Sequence, residues 1–256
     1  MPQGNGRARQ AAGPGNENVR RPRAIILDIE GTTTPIAFVT KTLFPYARRH
    51  LRSFLDHDGD ASSDVIARLH AEHHHETDTS CPPWPDDSPA AGRAAAIPYV
   101  QWLMDRDRKS PALKDLQGRI WENGYRSGEL VGDVFADVAS ALERWPREGI
   151  GAGIFSSGSV LAQKLLFAHS SAGDLTRYLR WYFDTGIGAK GDPESYARIA
   201  LHIATPPADV LFISDVLREL DAARTAGMQT AMSMRPGNAP QPAHDHRVVG
   251  SFDELT

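Results

Sequence analysis

The chain has 256 residues, of which 41% are hydrophobic and 23% are charged, as expected for a globular protein with a sizeable core. Its formal net charge of −4 does not favour a nucleic-acid partner. No apolar run approaches the roughly 20 residues of a membrane span. A single cysteine, Cys81, excludes an intramolecular disulfide, and we therefore expect a cytoplasmic protein.

The first segment, residues 1–22, consists largely of Gly, Pro, Asn, Gln and Arg. Such a segment has little apolar surface to bury, and we predict a disordered tail. It also lacks the apolar stretch of a secretory signal.

A short apolar run at residues 24–27 predicts a strand buried on both faces. Asp28, Glu30 and Gly31 follow at once. If the strand continues to Glu30, alternation places both carboxylates on the same side. Two such groups repel each other unless a cation or a proton compensates. The pair indicates either a metal-assisted nucleophile beside an acid/base, or simply a hydrophilic turn.

Residues 38–131 have helical periodicity almost throughout, interrupted by a Pro-rich loop at residues 77–89. The segment is long enough to form a module of its own. Within it, the segment 70–75 carries four histidines at spacings that could suggest zinc. Because neither a cysteine nor a suitably spaced carboxylate completes such a site, we favour a solvated, mobile helix face.

From residue 132 onwards, short apolar strands alternate with amphipathic helices. Strands are predicted near residues 149–155, 181–184, 209–215 and 228–233. We interpret residues 235–247 as a loop, and we expect Phe252 to pin the end of the chain to the core. This alternation predicts an α/β fold. Its Rossmann-like parallel sheet is formed by residues 23–37 and 132–256, with the helical module inserted between them.

Four chemically useful groups fall at or just after the carboxyl ends of these strands, where parallel sheets bind ligands. They are Asp28, Ser156, Lys190 and Asp215. A serine hydroxyl, the amides of Ser157 and Gly158, and a lysine could bind a phosphoryl group. The two aspartates are hard oxygen ligands suited to Mg²⁺, and one of them could attack phosphorus. Taken alone, each group can be explained by a turn, a solvated side chain or a helix cap. Because all four follow successive strands, we favour a single shared site.

Several longer segments resemble a known family. They are DIEGTT (28–33), LQGRIWENGYRSGEL (116–130), SSGSVLAQKLLF (156–167) and LFISDVLRELDAARTAGM (211–228). These segments are similar to the haloacid dehalogenase-like phosphohydrolases, and within that superfamily to the enolase-phosphatases of methionine salvage. The similarity extends over most of residues 24–234.

The resemblance implies a metal-assisted phosphatase centre. Asp28 would be the nucleophile and a ligand of one Mg²⁺ per subunit. Glu30 would be the acid/base and a further ligand, through its carboxylate or its backbone carbonyl, and Asp215 would be the remaining ligand. Glu219 and Asp221 would either support this centre or lie on the surface of their helix.

The same resemblance implies the substrate contacts and the reaction. Ser156, Ser157 and Lys190 would bind the phosphate of a small phosphorylated diketone, 2,3-diketo-5-methylthiopentyl-1-phosphate. The substrate would be enolised and then dephosphorylated to the acireductone 1,2-dihydroxy-3-keto-5-methylthiopentene. Residues 38–131 would form a cap that closes over the site. We expect a monomer without nucleic-acid or membrane partners.

Three other functions fit part of the pattern. A phosphatase of the same superfamily could use the same residues on another small ester. A receiver-type phospho-acceptor module also uses aspartate, Mg²⁺, a hydroxyl and lysine, but it is about half this size and an acidic pair precedes its phospho-accepting aspartate. A binding scaffold without catalysis is disfavoured because the acidic and basic groups are all present.

Overall fold

The protein is described by a computed structural model over residues 21–57, 62–85 and 89–255. Most of the tail predicted at residues 1–22 therefore lies outside the described residues. None of the described helices is long and apolar enough to cross a membrane.

The described residues form a six-stranded parallel sheet in the order β3-β2-β1-β4-β5-β6. The strands are β1 (Ala24–Leu27), β2 (Gly151–Phe155), β3 (Leu179–Phe183), β4 (Val210–Ser214), β5 (Gln229–Ser233) and β6 (Arg247–Val249). The predicted α/β fold is confirmed. Strand β6 begins at the last residue of the predicted loop and was not predicted, because three residues are too few to give a periodic signal.

Strand β1 lies at the centre of the sheet, with Ala24 opposite Gly151 of β2 and Val210 of β4. All four of its residues are buried. The chain first builds outwards from β1 through β2 to β3, and then crosses to the other side to form β4. Such a reversal leaves a crevice beyond the carboxyl ends of the strands, where ligands bind.

Nine α-helices flank the strands within the described residues. Those before β2 are α1 (Ile36–Phe38), α2 (Phe44–His57), α3 (Ser63–His74), α4 (Pro89–Asp105), α5 (Pro111–Ser127) and α6 (Ala136–Arg147), and those after it are α7 (Val160–Ala168), α8 (Pro193–His202) and α9 (Leu217–Thr225). A π-helical turn at Val39–Leu43 joins α1 to α2. Helix α8 has Asp192 as its N-cap and Pro193 in its first turn, both of which are favoured at these positions.

Two apolar clusters lie on opposite faces of the sheet. One contains Ile26 of β1 with Tyr196 and Phe212. The other contains Ile25 and continues without a break into the helices of the inserted segment. The inserted helices therefore share their core with one face of the sheet.

The C-terminal end is fastened to this core. Phe252 is fully buried, and its ring centroid lies 5.6 Å from that of Trp145. The predicted anchoring role of Phe252 is confirmed. Trp102 and Trp121, which lie in the inserted segment, are also buried.

A buried arginine joins the C-terminal segment to the turn after β1. The guanidinium of Arg235 donates to both carboxylate oxygens of Asp137, at 3.0 and 2.8 Å, and to the carbonyls of Gly250 and Thr32, at 2.7 and 3.1 Å. It lies between the rings of Phe135 and Phe252, at 4.8 and 4.5 Å from their centroids. We name this arrangement the Arg235 cluster.

Two side chains of the histidine-rich segment 70–75 pack against the Pro-rich loop that follows it. His70 and His73 lie 5.1 and 5.6 Å from the ring of Trp84, and His73 Nε2 lies 2.8 Å from the carbonyl of Pro82. The prediction of a solvated face is wrong for these two residues. The Pro-rich loop folds back over α3, which the periodicity of α3 alone does not reveal.

Candidate active site

The turn after β1 depends on one glycine. The amides of residues 32–34 all donate to the carbonyl of Ile29, at 3.2, 3.0 and 2.9 Å. Gly31 has a φ of +67°, and a Cβ at this position would lie 2.3 Å from Asp215 Oδ2. Any larger residue would therefore be strained and would collide with the Asp215 carboxylate. The turn and Asp215 are in close contact because Gly31 has no side chain.

The two carboxylates of this turn are neighbours, but not for the reason predicted. Strand β1 ends at Leu27, so strand alternation does not align Asp28 with Glu30. Asp28 is 5% exposed, and its Oδ1 accepts the amide of Ile29 at 2.7 Å. Glu30 is exposed to the crevice. The turn geometry brings them close enough that the charge of Asp28 contributes to the raised pKa of Glu30.

Lys190 connects two acids beneath the crevice. Its Nζ lies 2.6 Å from Asp28 Oδ1 and 2.6 Å from Glu219 Oε2. Ser214 Oγ lies 2.9 Å from Glu219 Oε2 and 3.3 Å from Asp28 Oδ2. Burial lowers the pKa of Lys190, but the charges of Asp28 and Glu219 raise it by more, so the amine is protonated. The network joins β1, β4, α9 and the loop after β3.

Three acids around this network have raised pKa values. Burial, followed by the charge of Asp28, raises the pKa of Glu30 and of Glu219 to about 7. The same two causes raise the pKa of Asp215 to about 6. Glu30 reaches the crevice, but the protein around it removes much of its hydration. The accumulation of negative charge makes this region favourable for a cation.

The loop between β2 and α7 carries the predicted phosphate contacts. Ser156 is buried, and its Oγ accepts the amide of Gly158 at 3.2 Å, whereas Ser157 is exposed. Helix α7 begins at Val160, with Ser159 as its N-cap. The amide of Gly158, predicted to be an anion donor, is therefore directed at the Ser156 hydroxyl.

A cavity of about 1200 Å³ lies over this edge of the sheet. Glu30, Ser156, Ser157 and Lys190 are part of its wall. The inserted segment contributes apolar side chains to the lining, including Leu43, Leu103, Met104 and Trp121, together with charged ones such as Arg48 and Lys114. We call the part of the cavity at Glu30, Ser156, Ser157 and Lys190 its polar end.

The inserted segment closes onto the sheet through helix α5. Lys114 Nζ lies 3.1 Å from Asp184 Oδ2, at the end of β3. Trp121 Nε1 donates to the carbonyl of Leu43 at 2.9 Å, at the end of the π-helical turn. Such turns leave a backbone carbonyl free for another donor and are frequent at functional sites. Helices α5 and α7 meet at Gly118, where a Cβ would be in ordinary van der Waals contact with Ser159 Oγ, at 3.6 Å.

The structure brings the six predicted site residues into one region. They are Asp28, Glu30, Ser156, Ser157, Lys190 and Asp215. Lys190 contacts Asp28, Asp215 contacts the turn at Gly31, and the others border the same cavity. Their individual roles stay predictions.

Glu219 and Asp221, which the sequence could not separate, occupy different environments. Glu219 lies in the Lys190 network. Asp221 is half-exposed at the surface, 2.9 Å from Arg224 and 3.1 Å from His246 Nε2. Both are acidic residues of α9, and no sequence signal distinguished them.

Two further residues were missed by sequence reasoning. Gln163 is a polar residue in the apolar run of α7, and this contrast was a usable signal. Asn238 donates to the carbonyls of Gly31 and Ser233, at 2.9 and 3.1 Å. It lies in a loop-like segment whose composition gives no such signal.

The oxygen ligands of this region fit Mg²⁺. Within the described residues, no three His, Cys, Asp or Glu side chains are already clustered as a metal site. Mg²⁺ in phosphate-handling enzymes commonly uses only one or two carboxylates, with waters and substrate oxygens as the other ligands. Asp28 and Asp215 match that requirement. In addition, the buried Oδ1 of Asn238 has no hydrogen-bond partner among the described residues, and it approaches Gly31 from near Asp215.

Comparison with known proteins agrees with this geometry. The family model of haloacid dehalogenase-like hydrolases matches residues 22–227. The enolase-phosphatase E1 of Synechococcus elongatus is 51% identical over 90% of this chain and 96% of its own length. The chain belongs to the enolase-phosphatase E1 family of haloacid dehalogenase-like hydrolases. The predictions of this family and of a phosphatase-type enzyme are confirmed.

Two other similar proteins extend the comparison. A protein of Arabidopsis thaliana named "Probable bifunctional methylthioribulose-1-phosphate dehydratase/enolase-phosphatase E1" is 44% identical over 91% of this chain and 48% of its own. The crystal structure of the UTR4 protein of Saccharomyces cerevisiae has a TM-score of 0.76 and 34% identity. It covers 91% of this chain and 99% of its own.

Proposed function

We propose that the chain converts 2,3-diketo-5-methylthiopentyl-1-phosphate to the acireductone 1,2-dihydroxy-3-keto-5-methylthiopentene, by enolisation and then dephosphorylation. The observation that carries the proposal is the contact of Lys190 with Asp28, 2.6 Å long, beneath a cavity bordered by Glu30 and Ser156. The family supports the reaction type. The dehydratase named in the Arabidopsis relative supports the substrate, because loss of water from methylthioribulose 1-phosphate gives a methylthio diketone phosphate.

The polar end of the cavity suits the phosphate. The Ser156 hydroxyl, the exposed Ser157 and the Lys190 ammonium provide donors and positive charge for its oxygens. Without phosphate, the Lys190 ammonium is neutralised by Asp28 and Glu219. Phosphate oxygens would share this cation and release the Asp28 carboxylate for reaction.

The phosphoryl transfer proceeds in two balanced steps. An Asp28 carboxylate oxygen attacks phosphorus, and the ester bond between phosphorus and the substrate oxygen breaks while Glu30 protonates that oxygen. Glu30 then takes a proton from water, whose oxygen attacks the aspartyl-phosphate, releasing phosphate and restoring Asp28. A pKa of about 7 suits Glu30 to both steps, since both protonation states are populated near neutral pH.

Asp28 and Asp215, with Glu30 through its carboxylate or carbonyl, would hold one Mg²⁺ per subunit. When bound, the ion would screen the negative charges of the carboxylates and of the phosphoryl oxygens. Burial and, after it, the charge of Asp28 raise the pKa of Glu30 and of Asp215. A cation would offset the repulsion by Asp28, which supports this placement.

The inserted helices would act as the cap. We assign residues 38–131 to the cap and residues 23–37 and 132–256 to the phosphohydrolase core. The apolar lining residues Leu103, Met104 and Trp121 suit a methylthio group, and closure excludes water from the enolised substrate. Cytoplasmic localisation and a monomeric state stay part of this proposal.

Turnover of the diketo phosphate tests the proposal. Acireductone formation and phosphate release are measured separately for the wild type and for Asp28→Asn, with and without Mg²⁺. An amide cannot serve as the nucleophile, so we expect phosphate release to fall by at least about a thousandfold. Asp221→Asn, an equal change at the surface of α9, is the matched control and keeps wild-type turnover. Rapid phosphate release by Asp28→Asn would contradict the assigned role.

A further inference from the structure

Gln163 is a buried polar residue in an otherwise apolar part of helix α7. It is 1% exposed, and it borders the cavity. The following core residues of the helix, Leu165, Leu166 and Phe167, are apolar. A glutamine in such a place costs free energy unless its polar atoms are used.

Its side-chain nitrogen joins two loops of the site. Nε2 donates to the carbonyl of Gly158 at 3.0 Å and to the carbonyl of Phe183 at 2.8 Å. The Phe183 carbonyl also accepts the amide of Ser156 at 3.2 Å. The two carbonyls determine the orientation of the side-chain amide, because an oxygen in the place of Nε2 would face two acceptors. Gln163 therefore ties the loop 156–159 to the end of β3.

The hydrogen bond from Gln163 to Gly158 also orients a backbone amide. In a planar trans peptide the C=O and N–H groups point in opposite directions. Because the Gly158 carbonyl points to Gln163, the N–H of Ser159 points away from it. That N–H belongs to the N-terminal end of α7, where backbone amides favour anions.

We propose that Gln163 is a positioning residue for phosphate: it holds the loop 156–159 in the conformation that receives the phosphoryl group. The inference rests on the proposed phosphatase function and deepens it, since Gln163 need not touch the substrate. It acts through Gly158 and through the end of β3 at Phe183.

The oxygen of the same side-chain amide indicates that stability alone does not explain why a glutamine occupies position 163. Gln163 Oε1 is buried and has no hydrogen-bond partner within the described part of the chain. An unsatisfied buried acceptor destabilises the fold. An apolar side chain of similar length would remove this cost together with the two hydrogen bonds. A positioning role thus predicts that phosphate binding and stability respond differently to Gln163→Met.

Three measurements test the positioning role of Gln163. They are calorimetric titration with inorganic phosphate in the presence of Mg²⁺, thermal unfolding, and steady-state kinetics giving kcat and KM for the diketo phosphate. For Gln163→Met we expect the phosphate Kd and the KM to rise at least about tenfold. We expect Tm to change little, because removing the unpaired Oε1 offsets the loss of the donor to the Gly158 carbonyl, and the Phe183 carbonyl keeps the amide of Ser156. Lys164→Met is the matched control, because Lys164 is the next residue of α7 and is exposed on the side of Tyr182. It leaves all three quantities unchanged.

Gln163→Glu gives a second test that does not depend on the folding of the first variant. When ionised, the introduced carboxylate faces two carbonyl oxygens and repels the loop; when protonated, it can donate to one of them. The ratio of its phosphate Kd to that of the wild type therefore decreases as the pH is lowered.

The outcomes separate this inference from the proposed function. Unchanged phosphate binding in both variants overturns the role of Gln163 alone, as does a Tm of Gln163→Met that falls in proportion to the loss of affinity. A wild type that neither binds phosphate nor releases it from the diketo phosphate overturns the proposed function, and this inference with it.

Discussion

The Arg235 cluster provides a quantitative test of the packing described above. The Arg235 side chain is 4% exposed and its partner Asp137 is 12% exposed, so Arg235→Met leaves a buried carboxylate without its counter-charge. Removing one partner of a buried pair typically costs about 3–5 kcal/mol. For a protein of this size each kcal/mol corresponds to about 2–4 °C, so we expect Tm to fall by roughly 6–20 °C.

Arg224→Met is the matched control for that substitution. Arg224 also contacts two carboxylates, those of Asp221 and Asp245, but its side chain is 45% exposed. Pairs of this kind contribute about 0–1 kcal/mol, so the control variant unfolds within a few degrees of the wild type. Thermal and urea unfolding, followed by circular dichroism, measure both.

A double variant distinguishes an unpaired charge from lost packing. If the unpaired Asp137 carboxylate causes most of the loss of stability in Arg235→Met, adding Asp137→Leu restores part of that stability. A Tm of Arg235→Met equal to that of Arg224→Met would refute the reasoning. So would a double variant that is less stable than Arg235→Met.

Three further predictions concern the site. Gly31→Ala must adopt a strained φ against Asp215, so we expect a loss of about 1–3 kcal/mol and strongly reduced kcat; wild-type values in unfolding and turnover assays would contradict this. Lys190→Met leaves Asp28 and Glu219 without their cation, so phosphate release at pH 7 falls at least about a hundredfold; a variant changed only in KM would argue against this. Glu30 and Glu219 have pKa values raised from 4.5 to about 7, so the native state binds more protons than the unfolded state between these values. Stability without Mg²⁺ therefore declines as pH rises through this window, and a Tm that increases over it would be inconsistent with these shifts.

Local sequence signals predicted most of the sheet and most of the site. A continuous apolar run such as residues 24–27, bounded by a polar turn, has few alternatives to a buried strand. Asp28, Ser156 and Asp215 each follow such a run directly, so their meeting was predictable from the parallel order of the strands.

The features that the sequence did not predict depend on contacts between segments that are distant in the sequence. The packing of His73 against Trp84 depends on how a proline-rich loop folds back, which no helical period encodes. Glu219 and Asp221 are both acidic residues of one helix, and only the position of Lys190 in space distinguishes them. The contact of Glu30 with the crevice arises from a turn around Gly31, not from strand alternation.

The central place of β1 has a consequence for how the protein is made. Ala24 leaves the ribosome long before its sheet neighbours Gly151 and Val210. The two hydrogen-bonding edges of β1 therefore stay unpaired until β2 and β4 have been synthesised. Sheets whose pairings are this distant in sequence form slowly and expose apolar strand edges meanwhile. We expect the nascent chain to depend on chaperones until β4 has emerged.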